Sequence, residues 1–260
     1  MIGIFDSGIG GLTVARTVEQ LLPHHSLLYL GDIRRAPYGS KSRTAIIQYS
    51  IENTRFLLEN GAKTVVIGCN SAASVATETL RKKFDIPIFE VITPAVQKAI
   101  KVSQSGRIGV IGTRATVSSN SYSSAIERSR PGYKVFAKAC PLLVPLVEEG
   151  WITKRETKMI LRRYLYSLKN QQIDTLILGC THYPLLKHLI QPRIGKKVTL
   201  IDSSIEVAIH LRNFLKKNSA PTLSGENSRV RHRFFVTDLT ETTRNTVSEI
   251  FKRPIHLQLA

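Results

Sequence analysis

Short apolar runs alternate along the chain with longer segments whose apolar residues recur every three or four positions. Runs of the first kind are typical of buried strands, and segments of the second kind are typical of helices that pack one side against a sheet. The alternation predicts a mainly parallel α/β architecture, with helices that include 43–59 and 154–169. The predicted strands are 2–5, 27–30, 64–68, 87–91, 107–111, 134–138, 175–179, 198–202 and 233–237.

The chain also resembles itself at two places. Residues 2–7 are similar to 108–113, and residues 64–69 are similar to 175–180 at nearly the same offset. Matching offsets for two motifs indicate a duplicated α/β unit. In open parallel sheets ligands bind beyond the carboxyl ends of the strands, so we expect both units to contribute loops to one cleft.

The three cysteines differ in their surroundings. Cys69 and Cys180 each follow an apolar run and a glycine, and polar residues follow each of them, whereas Cys140 precedes a proline and an apolar stretch. We assign Cys140 to packing. Either of the other two alone would be interpreted as an inert thiol at a strand end. Because their neighbours match as well, we expect Cys69 and Cys180 on opposite walls of the cleft, each leading into a helix whose N-terminal amides favour a thiolate.

Two thiols on facing walls suit the inversion of a carbon centre. One group removes a proton from one face as a thiolate, and the other returns a proton to the opposite face as a thiol. The site must also stabilise the carbanion that develops. The sequence carries no CxxC or HExxH motif and no evident pyridoxal-phosphate lysine site. We therefore expect neither a metal nor an organic cofactor.

Two further loops contain candidate groups. The glycine-rich segment that starts at Asp6 lacks the spacing of a dinucleotide fingerprint, so we expect Asp6 to hold a substrate ammonium or to assist a thiol. Ser7 is interpreted equally well as a helix N-cap. Pro37-Tyr38-Gly39 predicts a rigid turn whose backbone amides hold a carboxylate.

The charge balance is strongly positive. The 37 Lys and Arg residues outnumber the 19 Asp and Glu residues, which gives a net charge of +18. Such a field attracts anions, from small dicarboxylates to nucleic acid. The densest cluster is Arg229, Arg231 and Arg233, which an extended segment would place on one face. No nucleic-acid motif accompanies it. With no membrane-length apolar run and no signal peptide, we expect a soluble, cytoplasmic protein.

Together the motifs resemble those of the glutamate racemase family. The resemblance implies two doubly wound α/β domains related by a pseudo-twofold axis, with the active site between them. It also implies interconversion of L- and D-glutamate without a cofactor, for peptidoglycan and cell-wall synthesis. The matching motifs, in order, are Phe5-Asp6-Ser7-Gly8-Ile9-Gly10-Gly11, Pro37-Tyr38-Gly39, Gly68-Cys69-Asn70, Gly112-Thr113 with Thr116, Pro145-Leu146-Val147-Glu148-Glu149-Gly150, and Gly179-Cys180-Thr181-His182-Tyr183-Pro184.

The resemblance also implies roles for single residues. Cys69 and Cys180 match the family's acid/base thiols, with Cys69 taking the proton from D-glutamate and Cys180 from L-glutamate. Asp6 is similar to the group that assists Cys69, and Glu148 and His182 are similar to those that assist Cys180. The positions that match substrate-binding residues are Asp6, Ser7, Tyr38, Gly39, Asn70, Ser71, Thr113, Thr116, Thr181 and His182.

Some questions stay open at the level of sequence. We expect residues 1–94 with about 205–260 to form one domain and 95–204 the other. Ser71 replaces the family's usual threonine, which predicts altered substrate affinity with retained activity. The alternatives are a racemase for aspartate or another acidic amino acid, and a basic binding protein that acts on a nucleic-acid-associated partner such as DNA gyrase, which parts of the family inhibit. A homodimer is also a possible state of the protein.

Overall fold

The computed structural model describes residues 1–218 and 230–260. The strands are β1 (Ile2–Asp6), β2 (Leu27–Gly31), β3 (Thr64–Ile67), β4 (Ile88–Glu90), β5 (Arg107–Gly112), β6 (Lys134–Ala139), β7 (Thr175–Gly179), β8 (Thr199–Asp202), β9 (Arg233–Val236) and β10 (Leu257–Leu259). The α-helices are α1 (Leu12–Leu21), α2 (Arg43–Glu59), α3 (Asn70–Lys83), α4 (Ile92–Val102), α5 (Arg114–Ser118), α6 (Ser121–Ser129), α7 (Leu143–Glu148), α8 (Arg155–Asn170), α9 (Lys187–Ile194), α10 (Ser203–Asn218) and α11 (Glu241–Phe251).

The strands form two parallel sheets. The first has the order β10-β9-β2-β1-β3-β4, and the second has the order β6-β5-β7-β8. Within the first sheet, the four strands β2-β1-β3-β4 repeat the order and direction of the whole second sheet. The predicted parallel α/β architecture is therefore confirmed, and the self-similar sequence segments fall on equivalent strands.

All nine predicted strands are present, with ends that differ by one residue at most. The helix predicted at 43–59 is α2, and the one predicted at 154–169 is α8, shifted by one position. The sequence did not predict β10. It pairs with β9, but it buries only Leu257 and leaves Gln258 and Leu259 exposed, so no apolar run marks it.

The central strands are buried along their whole length, which explains why their sequences are apolar without alternation. Helices cover the sheets, and α10 packs against both α1 and α4. It follows β8 of the second sheet directly and contacts α1, which follows β1 of the first sheet. The predicted division of the chain at residues 94 and 205 stays a prediction.

The fold brings four strand ends to one place. Asp6 ends β1, Cys69 follows β3, Thr113 follows β5 and Cys180 follows β7. Cys69 is the N-cap of α3, as the sequence predicts for a helix after this thiol.

Two expectations about helix ends were wrong. Cys180 does not lead directly into an α-helix, because a 3-10 turn with Pro184 in its first turn, Tyr183–Leu186, comes before α9. Ser7 is not a helix N-cap, since α1 begins only at Leu12 and its cap is Gly11. The glycines between Ser7 and Leu12 form a loop that leaves the Ser7 side chain available to the cleft.

Candidate active site

A small buried cavity lies where loops of the two sheets meet. Its volume is about 20 Å³, roughly room for one water molecule, and both Cys69 and Cys180 line it. Of the residues predicted for the site, all but Asp6 and Thr116 line this cavity. The lining residues are Ser7, Gly8, Ala36, Pro37, Tyr38, Gly39, Cys69, Asn70, Ser71, Thr113, Val144, Glu148, Cys180, Thr181 and His182.

Cys69 is held on the side of the first sheet. Its thiol donates a hydrogen bond to Ser7 Oγ at 3.4 Å. Burial raises the pKa of Cys69, and the nearby Asp6 carboxylate raises it further, so that it reaches about 12 despite the Ser7 contact. Cys69 therefore carries its proton at neutral pH in this arrangement.

Asp6 lies behind the cavity wall and is fully buried. Its carboxylate accepts hydrogen bonds from Gly8 N at 3.0 Å and from Thr181 Oγ1 at 3.3 Å, so it joins the loops of both sheets. Burial raises the pKa of Asp6 to about 6, against the lowering effect of His182 and the backbone amides. Asp6 therefore gains or loses its negative charge near pH 6, within the pH range in which enzymes commonly work.

Cys180 has a different set of neighbours. Its Sγ lies 3.8 Å from His182 Nδ1, and His182 Nε2 lies 3.0 Å from Glu148 Oε1. Burial lowers the pKa of His182, but the hydrogen bonds to Cys180 and Glu148 outweigh burial and raise it to about 10. A protonated His182 then stabilises negative charge on the Cys180 sulfur.

Three hydroxyl groups form a cluster at the cavity, and two of them belong to lining residues. Ser71 Oγ lies 2.8 Å from Thr113 Oγ1 and 3.5 Å from Thr116 Oγ1, and the two threonine hydroxyls lie 3.1 Å apart. Ser71 is the second residue of α3, which follows β3 of the first sheet, whereas Thr113 caps α5, which follows β5 of the second. The Ser71 hydroxyl thus keeps a contact between the units, and Thr116 reaches the cavity through Ser71 and Thr113.

The Pro37-Tyr38-Gly39 segment begins with a cis Ala36–Pro37 bond and continues as a 3-10 turn. The Tyr38 hydroxyl donates to Asp32 and accepts from Asn53 Nδ2 at 3.0 Å. Its polar end is therefore turned to these partners. The part of Tyr38 that remains for a ligand is its backbone, as the sequence predicts for this turn.

Sequence reasoning missed the groups that hold Asn70. Tyr122 is buried in α6 and donates to Asn70 Oδ1 at 2.6 Å, and Asn70 Nδ2 donates to Ser203 Oγ at 3.4 Å. Tyr122 and Ser203 are distant from Asn70 in the chain and stand in no motif, so no local signal identifies them. Their contacts fix the orientation of the Asn70 amide.

The remaining candidates lie away from the cavity. Cys140 is buried, as expected of a residue that packs in the core, and its thiol donates to Lys138 O at 3.5 Å. In the basic cluster, Arg229 lies outside the described residues, Arg231 is exposed, and Arg233 donates to Asn60 Oδ1 at 3.0 Å. In residues 1–218 and 230–260, no three His, Cys, Asp or Glu side chains are grouped as metal ligands.

Comparison with known proteins assigns this arrangement to a family. The family model described as Asp/Glu/Hydantoin racemase matches residues 12–211. The chain belongs to this racemase family. A glutamate racemase of Persephonella marina is 45% identical to it over 99% of this chain and 95% of that protein.

Solved structures of other racemases have the same fold. A glutamate racemase isoform of Bacillus anthracis matches with a TM-score of 0.94 and 36% identity, over 100% of this chain and 97% of that one. The glutamate racemase of Francisella tularensis in complex with D-glutamate matches with a TM-score of 0.91 and 33% identity, over 100% and 96% of the two chains. The predicted two-unit racemase fold is thus confirmed.

The cavity combines two thiols with unlike electrostatic partners. An anionic carboxylate lies near Cys69, and a cationic imidazole lies near Cys180. In the described part of the chain, every helix is too short or too polar to span a bilayer.

Proposed function

We propose that this racemase interconverts L- and D-glutamate by proton transfer between Cys69 and Cys180, without a cofactor. The observation that carries the proposal is that these two thiols line one cavity, each on a loop of a different sheet. Acid and base groups must lie on opposite faces of a carbon centre to invert it. The names of the relatives above support glutamate as the substrate.

In the direction from L- to D-glutamate, the Cys180 thiolate removes the Cα proton. The electron pair of the C–H bond stays on the substrate as a carbanion, and Cys180 becomes a thiol. The Cys69 thiol then donates its proton to the opposite face, which gives D-glutamate and a Cys69 thiolate. Exchange of protons with solvent restores the starting forms, and the reverse reaction starts from a Cys69 thiolate.

The neighbours of each thiol support these roles. The high pKa of Cys69 keeps a proton available for donation. His182, which is anchored by Glu148, stabilises the thiolate form of Cys180. Asp6 lies near Cys69 and assists proton transfer on that side. Its negative charge favours the protonated form of Cys69.

The remaining lining residues are suited to hold the substrate. Two carboxylates and an ammonium require donors and acceptors at separate points, which the polar groups around the cavity provide. We assign the two substrate carboxylates to hydroxyl and backbone N–H donors of residues that line the cavity, with His182 among the lining: Ser7, Tyr38, Gly39, Asn70, Ser71, Thr113 and Thr181. Thr116 and Asp6 act from behind the wall, through hydrogen bonds with Thr113 and Thr181. Fixed donors also stabilise a carbanion whose charge spreads onto the α-carboxylate.

Incorporation of solvent deuterium at Cα of glutamate and aspartate tests the proposal, with NMR as the readout. We expect the wild-type protein to exchange glutamate much faster than aspartate. Cys69→Ala and Cys180→Ala should each lower racemisation by about 10²–10⁴-fold, because each removes a general acid/base group. Faster exchange of aspartate would instead favour the alternative substrate.

Cys140→Ala is the matched control, since Cys140 is equally buried but does not line the cavity. It should keep its activity. If neither amino acid exchanged, or if both cavity-thiol variants exchanged at the wild-type rate, the two-thiol mechanism would be abandoned.

The place of the reaction in the cell follows from the same proposal. We propose that the enzyme acts in the cytoplasm and supplies D-glutamate for peptidoglycan. The homodimer, and a gyrase-related role for the basic surface, stay predictions.

A further inference from the structure

A second and much larger cavity lies next to the substrate cavity. Its volume is about 450 Å³, and Gly39 lines both cavities. Gly39 packs so tightly on Thr113 that an added Cβ would lie 2.6 Å from Thr113 Cβ. This contact joins a loop of the first sheet to the cap of α5 in the second.

The larger cavity is lined by cations from both units. Lys41 follows the 3-10 turn Tyr38–Ser40, Arg43 is the first residue of α2, and Arg114 is the first residue of α5. Within the described residues, none of these three side chains forms an ion pair, and no acidic residue lines the cavity. Three like charges around one space repel each other, so an anion placed among them is favoured.

We propose that this cavity binds a small polyanion, with carboxylate or phosphate groups, that is held by Lys41, Arg43 and Arg114. Guanidinium groups present a fork of donors that matches both kinds of oxyanion. The volume lies in the range of small-molecule sites rather than of macromolecular interfaces. An anion held between Arg43 and Arg114 links the two units beside the substrate cavity.

Calorimetric titration of the whole protein with inorganic pyrophosphate and, separately, with citrate tests the site at constant ionic strength. The two probes distinguish phosphate from carboxylate ligands. We expect at least one to bind to the wild-type protein. The double variant Arg43→Gln, Arg114→Gln should weaken that binding by at least about tenfold, since it removes two charge-assisted contacts. Lys41→Gln should weaken it less.

The control removes the same charge elsewhere. Lys158→Gln with Arg162→Gln neutralises two exposed cations of α8, away from both cavities. It should bind the probe as the wild-type protein does, and melting curves establish that all variants are folded. The affinity for the probe should be the same with and without saturating D-glutamate.

Three results would overturn the proposal. The first is that neither probe binds at millimolar concentration. The second is equal weakening in the cavity variants and in the α8 control, which would reduce the effect to general attraction by the net charge. The third is competitive displacement by D-glutamate, which would place the anion in the substrate cavity. All these readouts are binding equilibria, so they are independent of whether the protein racemises glutamate.

Discussion

The two cavity cysteines occupy similar local sequences, yet their charged neighbours have opposite signs. Cys69 lies near the Asp6 carboxylate, and Cys180 lies beside the imidazole of His182. The sequence predicts both thiols because each follows a glycine at a strand end. Only the family resemblance pairs Asp6 with Cys69 and Glu148 with Cys180, because both carboxylates are far along the chain from the thiols they serve.

The charge of Asp6 should make folding stability depend on pH. The pKa of Asp6 is about 6 in the folded protein against 3.8 as its ordinary value. The folded state therefore binds more protons between pH 4 and pH 6, and stability falls as pH rises through this window. Above it, the ionised group costs about 3 kcal/mol, which is two pKa units.

Asp6→Asn removes this cost, so we expect the variant to be more stable than the wild type by up to about 3 kcal/mol at pH 7.5. The difference should disappear by pH 4, where the wild-type carboxyl is protonated as well. Urea unfolding at several pH values measures it. A variant that is less stable than the wild type at pH 7.5 would contradict the burial argument.

Glu148→Gln tests the assistance given to Cys180. The two enantiomers have equal free energy in water, so the variant must lower kcat/KM equally in both directions, by about 10–10²-fold. The proton transfer that limits the rate of the variant should still differ between the two directions of the reaction. We expect a larger isotope effect with L-[2-²H]glutamate, because removal of its proton uses Cys180.

In the direction from D- to L-glutamate, Cys180 donates the proton. For this direction we expect Glu148→Gln to give the larger isotope effect when the solvent is deuterated. Asp6→Asn should show the mirror pattern and serves as the comparison. Identical isotope effects for the two variants would show that the partners do not act on separate thiols.

At the scale of elements, the glycine-rich loop between β1 and α1 decides how closely the two units approach. The sequence shows where the glycines are, but it does not show how much space each of them has for a side chain. Gly10 faces the second unit so closely that a Cβ would lie 2.5 Å from His182 Nδ1 and 2.6 Å from Thr181 Oγ1. At Gly8 the nearest atom, Ala36 Cβ, would be at 3.8 Å.

Gly10→Ala should therefore displace His182 from Glu148 and lower activity by more than about tenfold. Overpacking of this kind costs about 1–3 kcal/mol of stability. Gly8→Ala should change the melting temperature little, because its methyl group meets only ordinary contacts. Melting curves and racemisation rates of the two variants provide the comparison, and equal effects would be evidence against the steric argument.

The elements themselves were largely predictable, for a physical reason. Strands buried on both faces must be apolar throughout, so β1, β3 and β7 stand out in the sequence. The edge strand β10 carries no such constraint. The helix after Cys180 was misplaced because a 3-10 turn with Pro184 as its second residue comes first, and the sequence does not distinguish this turn from the first turn of an α-helix.

At the scale of the whole molecule, the cavity that both thiols line is too small for the proposed substrate. A volume of about 20 Å³ holds about one water molecule, whereas glutamate has ten heavy atoms. Loops of both units form the walls, so these loops must separate for glutamate to enter. No sequence pattern predicts how narrow the cavity is, because its walls are joined by contacts between distant residues such as Tyr122 and Asn70.

Hydrogen exchange should detect the opening. We expect D-glutamate to slow exchange of the amides of Lys41 and Thr116, whose hydrogen bonds lie beside the Gly39–Thr113 contact. The amides of β5, in the middle of the second sheet, should exchange at the same slow rate with and without ligand. If ligand slowed both sets equally, its effect would be on global stability and not on opening.

The repeated strand order has a consequence for the energy profile of the reaction. Two units with the same topology and the same handedness can be related by rotation but never by reflection, because all residues are L-amino acids. Substrate and product, however, are mirror images. The protein therefore cannot offer them mirror-image surroundings, and the unlike partners of the two thiols are one expression of this. The equilibrium constant between bound L- and D-glutamate is thus free to differ from one, although it must equal one in solution.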